Sequence, residues 1–189
     1  MSFDQPHIPD TDQPRGKTST KDERGSELDP QRISEIRAQR AAKVVDVLRV
    51  VAPEVLARYP VDVAYLYGSM ARGTPLPDSD VDVALLLNTS PEPYPRLLLE
   101  LEIQATLEDA SGLSEIDVRS LNEAPLSFQG SVLGESILLF CANQARRVAF
   151  EVATRKQYFD YQPLADRLRQ HVLAHIREKG LRYGQTRNR

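Results

Sequence analysis

The stretch Leu66-Tyr-Gly-Ser-Met-Ala-Arg-Gly-Thr-Pro-Leu-Pro-Asp-Ser-Asp-Val-Asp-Val-Ala-Leu-Leu-Leu87 decides how this chain is read. Upstream of Gly68, Val61-Asp-Val-Ala-Tyr-Leu-Tyr67 is β-branched and aromatic enough for a buried strand. Gly68-Ser69 breaks it. Glycine lets the backbone approach a ligand closely, and a serine opening a short helix offers a hydroxyl beside unpaired N–H groups. Met70-Ala71-Arg72 predicts one helical turn, and Gly73 to Pro77 end it. Val81 to Leu87 is a second strand. Side chains alternate along a strand, so Asp80 and Asp82 share one face. Two carboxylates on one face make a hard oxygen site suited to magnesium.

Gly68-Ser69, ten residues, then Asp80-Val81-Asp82 gives the spacing G-S-x10-D-x-D. This stretch resembles the active-site signature of the nucleotidyltransferase superfamily, the DNA polymerase beta-like fold. Gly-Ser-Met-Ala-Arg-Gly73 followed by Ser79-Asp-Val-Asp-Val-Ala84 is similar, more narrowly, to the minimal nucleotidyltransferases (MNT family). A lone D-x-D or G-S arises by chance; both at this separation on two predicted strands is a specific signal. The resemblance implies an α/β (α+β) nucleotidyltransferase fold, a small mixed sheet flanked by helices, over roughly residues 30–180.

The chain has 189 residues, 41% apolar and 27% charged, which is room for one soluble domain plus tails. A net charge of −3 gives no general pull toward nucleic acid or an anionic membrane, so neither is expected as a partner. The single cysteine, Cys141, excludes an internal disulfide, and its setting Ile137-Leu-Leu-Phe-Cys141 predicts a small buried hydrophobe. No apolar run resembles a signal peptide or a membrane span, and the expected compartment is the cytoplasm.

Residues 1–28 are polar and proline-interrupted and are expected to form a disordered arm. Asp29-Pro30 is an N-cap followed by proline at the first helical position. Ile33, Ile36, Ala41, Val44, Val45 and Leu48 recur at helical spacing, and a second short helix is expected from Pro53 to Arg58. A helix from Arg96 to Asp109 is broadly apolar and should be well buried. Glu115 to Leu121 is a third strand, with Ile116 and Val118 on one face and Asp117 and Arg119 on the other. Ala124 to Leu133 reads as a short helix, and Ser136 to Phe140 as a fourth strand paired with the third. A helix over Arg146–Phe159 should turn Val148, Ala149, Val152 and Tyr158 inward. Another starts at Pro163, with a stripe of Leu164, Leu168, Val172 and Ile176, and stops at Gly180 before a basic tail, 181–189. His171 and His175 lie four apart but lack a third ligand and read as an exposed polar face. Tyr158, Phe159 and Tyr161 read as packing at a helix junction, with a binding role open.

The resemblance assigns roles by position. Asp80 and Asp82 match the carboxylates that hold two magnesium ions. Asp117 matches the third, which faces the attacking hydroxyl as metal ligand or base; alone on a half-buried strand it could equally face water. Gly68 and Ser69 match the grip on the β- and γ-phosphates of ATP. Arg72 is a candidate countercharge for the triphosphate or a solvent-facing side chain, and Asp78 reads as a turn residue. Small MNT proteins resembling this chain, the MntA-type antitoxins, pair with HEPN-domain ribonuclease toxins and transfer AMP from ATP to a toxin tyrosine. The chain is therefore expected to be a protein adenylyltransferase antitoxin with a HEPN partner. Two rival readings are a small-molecule, aminoglycoside-type nucleotidyltransferase and a non-catalytic antitoxin that sequesters its toxin.

Overall fold

A computed structural model of the protein describes residues 29–179. The expected disordered arm and basic tail lie outside the described residues. The elements run α1 (Pro30–Leu56), β1 (Val61–Tyr67), α2 (Gly68–Arg72), β2 (Val81–Leu87), α3 (Pro93–Ser111), β3 (Ile116–Ser120), α4 (Leu126–Gly134), β4 (Ile137–Cys141) and α5 (Gln144–Lys179). Asp29 caps α1 as its sequence predicts, its Oδ1 accepting from the Gln31 N–H at 3.1 Å.

The strands form one mixed sheet in the order β3-β2-β1-β4. β1 pairs antiparallel with both β2 and β4, and β2 pairs parallel with β3. The fourth strand therefore adds to the first strand and not to the third, correcting the expected pairing. The short α4 carries the chain across one face of the sheet to the opposite edge, and that long-range choice leaves no local mark in sequence.

Alternation along the strands builds two cores. One face of the sheet, with Leu66, Val83, Leu85 and Val118, packs against Leu48, Ala52 and Leu56 of α1 and Ile103 and Leu107 of α3. The other face, with Val63, Tyr65, Ala84 and Leu86, packs against Val132 and Leu133 of α4, with Phe150 of α5 beside them. Burying side chains on both faces explains why β1 and β2 are nearly continuous apolar runs.

Four helix expectations are corrected. α1 runs unbroken through Pro53, and α5 through Pro163. Proline removes one N–H bond to the carbonyl four residues earlier. Those carbonyls belong to Arg49 and Phe159, both solvent-exposed residues, so water can satisfy them. α3 buries only Ile103 and Leu107 and leaves Leu97, Leu98 and Leu101 exposed. On α5, Val148, Ala149 and Val152 face outward, while Thr154 is buried and Tyr158 packs on α4. The deciding feature is Gly130 of α4, where a Cβ would overlap the Tyr158 ring. A ring seated on a glycine fixes which side of the helix turns in.

Phe159 and Tyr161 are exposed, and so are Leu164, Leu168 and Val172 of the apolar stripe. His171 and His175 are exposed, in keeping with a polar face. Cys141 is half-buried, less than its sequence setting predicts, with its thiol 3.5 Å from Gln144 Oε1. No helix among the described residues is long and apolar enough to cross a membrane.

Candidate active site

The ends of three adjacent strands place two of the three predicted acids side by side. In the ladders, Tyr67 of β1 lies opposite Asp82 of β2, and Asp82 lies beside Asp117 of β3. Residues paired this way point to the same face of the sheet, so Tyr67, Asp82 and Asp117 form a row across it. Asp80 precedes β2 by one residue and is exposed. Asp117 therefore lies beside Asp82 in the ladder and does not stand alone.

Gly68 sits directly under Asp82. Its φ is +73°, and a Cβ there would overlap Asp82 Oδ2 and lie 3.0 Å from Asp82 Cγ. Glycine is thus required twice, once for the left-handed backbone and once for the carboxylate packed on it. Ser69 follows at the start of α2, half-buried. Gly73, at φ +74°, closes that turn, its N–H donating to the Met70 carbonyl at 3.2 Å. The loop to Asp80 turns at residues 76–79, where the Leu76 N–H donates to Ser79 Oγ at 2.7 Å. Asp78 is exposed in that turn.

Electrostatics tie the group together. The Asp82 carboxyl is held above its ordinary value, first by burial and then by the charges of Asp117 and Asp80, with Arg72 pulling the other way. Arg72 therefore acts on Asp82 electrostatically, while its guanidinium also pairs with Glu135 at 3.5 Å in an exposed contact. The Tyr67 phenol is pushed up to about 12 by burial and by Asp82 and Asp117. Asp117 Oδ2 accepts from Arg119 Nε at 3.1 Å, and this pairing raises the Arg119 pKa.

Among the described residues, no three carboxylate, imidazole or thiol groups converge closely enough to hold a metal ion. The donor set nonetheless suits a hard cation. Asp82 resists ionisation first because it is buried and then because Asp117 and Asp80 add negative charge beside it, and Arg72 supplies only part of the positive charge that would offset them. A bound divalent ion would supply that charge.

Beside Asp117 opens a cleft of about 510 Å³, lined by Tyr67, Arg96, Glu100, Arg119, Glu123 and Phe128 among others. Two residues that matter for the site's geometry escape sequence reading. The sequence marks Tyr67 only as a strand residue, yet it lies in the acid row. Arg40 of α1 donates to the carbonyls of Leu76 at 2.6 Å and Ser79 at 3.2 Å, and so holds the loop that delivers Asp80. Tyr67 was recoverable, since it shares strand parity with Val63 and Tyr65. Arg40 carried no signal.

The family profile described as Polymerase beta, Nucleotidyltransferase matches residues 51–145, just over half of the chain. The chain belongs to this nucleotidyltransferase family. The matched segment contains the whole four-stranded sheet and all the predicted site residues. No curated protein matches the chain in sequence. Among solved structures, one of a toxin–antitoxin with AMP-PNP is 23% identical, covering 70% of this chain and 98% of that one, with a TM-score of 0.50. A mutant of the toxin–antitoxin MntA–HpeT is 24% identical, covering 64% and 93%, with a TM-score of 0.52. A third, from Shewanella oneidensis, is 18% identical, covering 67% and 97%, with a TM-score of 0.51. At these identities the likeness is one of fold. The nucleotidyltransferase fold of this chain thus matches that of chains in toxin–antitoxin structures.

Proposed function

We propose that this nucleotidyltransferase is the antitoxin of a toxin–antitoxin pair and acts as a protein adenylyltransferase. It would move AMP from ATP to a tyrosine hydroxyl of a HEPN-domain ribonuclease. The observation that carries the chemistry is the row of Asp82 and Asp117 on adjacent strands, with Gly68 packed against Asp82. The toxin as acceptor rests on the resemblance to MNT proteins and on fold likeness to toxin–antitoxin structures.

In this reading the acceptor oxygen attacks the α-phosphorus in line, the new O–P bond forms, and pyrophosphate leaves. Ser69 and the backbone N–H groups opening α2 receive the β- and γ-phosphates. Arg72 exchanges its exposed contact with Glu135 for the triphosphate. Asp117 accepts the acceptor's proton, since it faces the cleft. Asp80, Asp82 and Asp117 would hold magnesium, which when bound neutralises the triphosphate and the charge that develops during transfer. Arg119 must release Asp117 before that carboxylate can serve.

The test is the intact mass of a HEPN-domain partner after incubation with this protein, ATP and magnesium. A gain of one or more AMP units, absent with an Asp80→Asn/Asp82→Asn variant, is expected. A partner that is neutralised in a stable complex without mass gain would replace this reading with sequestration.

A further inference from the structure

We propose that α3 and the far half of α5 are the two sides of an interface between two copies of this chain. The basic, apolar α5 of each copy lies along the acidic, apolar α3 of the other. The interface needs neither nucleotide nor toxin, and it stands apart from the nucleotidyl-transfer reading.

Each helix carries an apolar stripe that the fold leaves bare. On α3, Tyr94, Leu97, Leu98 and Leu101 fall within about 100° of one another at 3.6 residues per turn. They lie opposite the inward Ile103 and Leu107 and are between 46% and 70% exposed. On α5, Tyr161, Leu164, Leu168 and Val172 form a stripe of the same kind, between 38% and 65% exposed. It continues the face that Phe150, Thr154 and Tyr158 turn toward the domain upstream. The helix therefore outruns its own domain, and its inward face goes on without a cover. A contiguous apolar surface of this kind marks an interaction site, whereas singly scattered leucines do not.

Charge selects the occupant. α3 holds four acidic side chains and one basic one, Arg96, which Glu123 already engages at 3.1 Å. Residues 155–177 of α5 hold five basic and two acidic side chains, so the two helices are of opposite sign. Glu102 and Asp109 are exposed along one edge of the α3 stripe and make no ion pair among the described residues. Arg167 and Arg169 flank Leu168 on α5, and only Arg169 has a partner there, the half-exposed Asp166 at 3.6 Å. Two α3 stripes, or two α5 stripes, would set like charges side by side, which is costly at an interface. An α5 against an α3 sets acids beside bases and leucines against leucines.

One copy cannot make this contact by itself. α3 packs with α1 on one face of the sheet, and α5 packs with α4 on the other. The uncovered part of α5, residues 161–179, matches the 19-residue α3 in length, about 28 Å at 1.5 Å per residue. A reciprocal exchange covers all four stripes of a pair and closes with two-fold symmetry.

The test is sedimentation velocity of the full chain, alone, across a concentration series. The mass is expected to rise toward twice 21.2 kDa. Arg167→Glu/Arg169→Glu should weaken self-association at least about tenfold, and so should Glu102→Arg/Asp109→Arg. All four changes in one chain restore opposite charges across the contact and should restore the doubled mass. Circular dichroism checks the fold of each variant, and all four positions are exposed. Both stripes lie outside the packed core, so urea unfolding of the dissociated chain reports the domain and not this contact. A monomer at every concentration overturns the proposal, even if a HEPN-domain partner then covers the stripes. A dimer indifferent to either reversal, or not regained with all four changes, overturns the pairing of α3 with α5. An open-ended series of larger species overturns the reciprocal closure. None of these results touches nucleotidyl transfer, which the mass of the HEPN partner tests separately.

Discussion

Replacing Gly68 by alanine should damage both stability and chemistry, and the two losses can be separated. The backbone at Gly68 is left-handed, φ +73°. Placing an L-residue there costs about 1–2 kcal/mol. The added Cβ would overlap Asp82 Oδ2 and lie 3.0 Å from its Cγ, so the carboxylate must rotate away. Leaving a preferred rotamer adds about 0.5–1.5 kcal/mol. The sum, roughly 1.5–3.5 kcal/mol, should lower Tm by about 3–14 °C for a chain of this size. Nucleotidyl transfer, assayed well below Tm, should fall by about a hundredfold, because displacing a catalytic group by about 1 Å costs that much. Gly73→Ala is the control. Its φ is +74°, yet a Cβ there meets nothing within 4 Å. It should show the backbone cost alone, about 1–2 kcal/mol, with transfer close to wild type. Thermal unfolding by circular dichroism and single-turnover transfer measure both effects. Equal losses of activity in the two variants would refute the packing of Gly68 on Asp82 as the reason for glycine.

Asp82→Asn should remove transfer while stabilising the metal-free protein. The folded-state pKa of Asp82 is raised above 3.8, so the native state keeps a proton that the unfolded chain releases. Stability from this group is complete below 3.8, falls as pH rises through the raised value, and above it the charge is a net cost. Tm in EDTA near pH 7 should therefore be higher for Asp82→Asn, and magnesium should raise Tm only in the wild type; differential scanning fluorimetry checks both. The Tyr67 phenol should titrate at about 12 by ¹³C NMR and move back toward 10.0 in Asp82→Asn, though only in part, because burial is the larger cause. Leu107→Ala, at a fully buried position, should cost about 2–5 kcal/mol in urea unfolding. Leu101→Ala, 50% exposed on the same helix, should change stability by less than about 0.5 kcal/mol.

Most of the candidate site was legible because its signals are local. Gly68-Ser69 and Asp80-x-Asp82 are held by a strand, a turn and a strand that are contiguous in sequence, whereas Asp117 was singled out by the family resemblance, since strand parity alone left it equally able to face water. What escaped was long-range. β4 could have joined either edge of the sheet, and only packing of α4 and α5 over Val63 and Leu86 selects the β1 edge. The inward face of α5 depends on Gly130, fourteen residues before the helix begins. Pro53 and Pro163 read as breaks because proline usually ends a helix, but each frees a carbonyl on a solvent-exposed residue. Arg40 reaches the Asp80 loop from 36 residues upstream of Leu76, a contact that no periodicity encodes.

The central claim is that the acid row transfers a nucleotidyl group. The most direct measurement supplies ATP labelled at either the α- or the γ-phosphate, with magnesium and the HEPN-domain partner, and asks which label becomes covalent. The account predicts protein-bound α-label, γ-label released as pyrophosphate, and loss of both with Asp82→Asn. Covalent γ-label, with ADP as the product, would mean phosphoryl transfer and would contradict it.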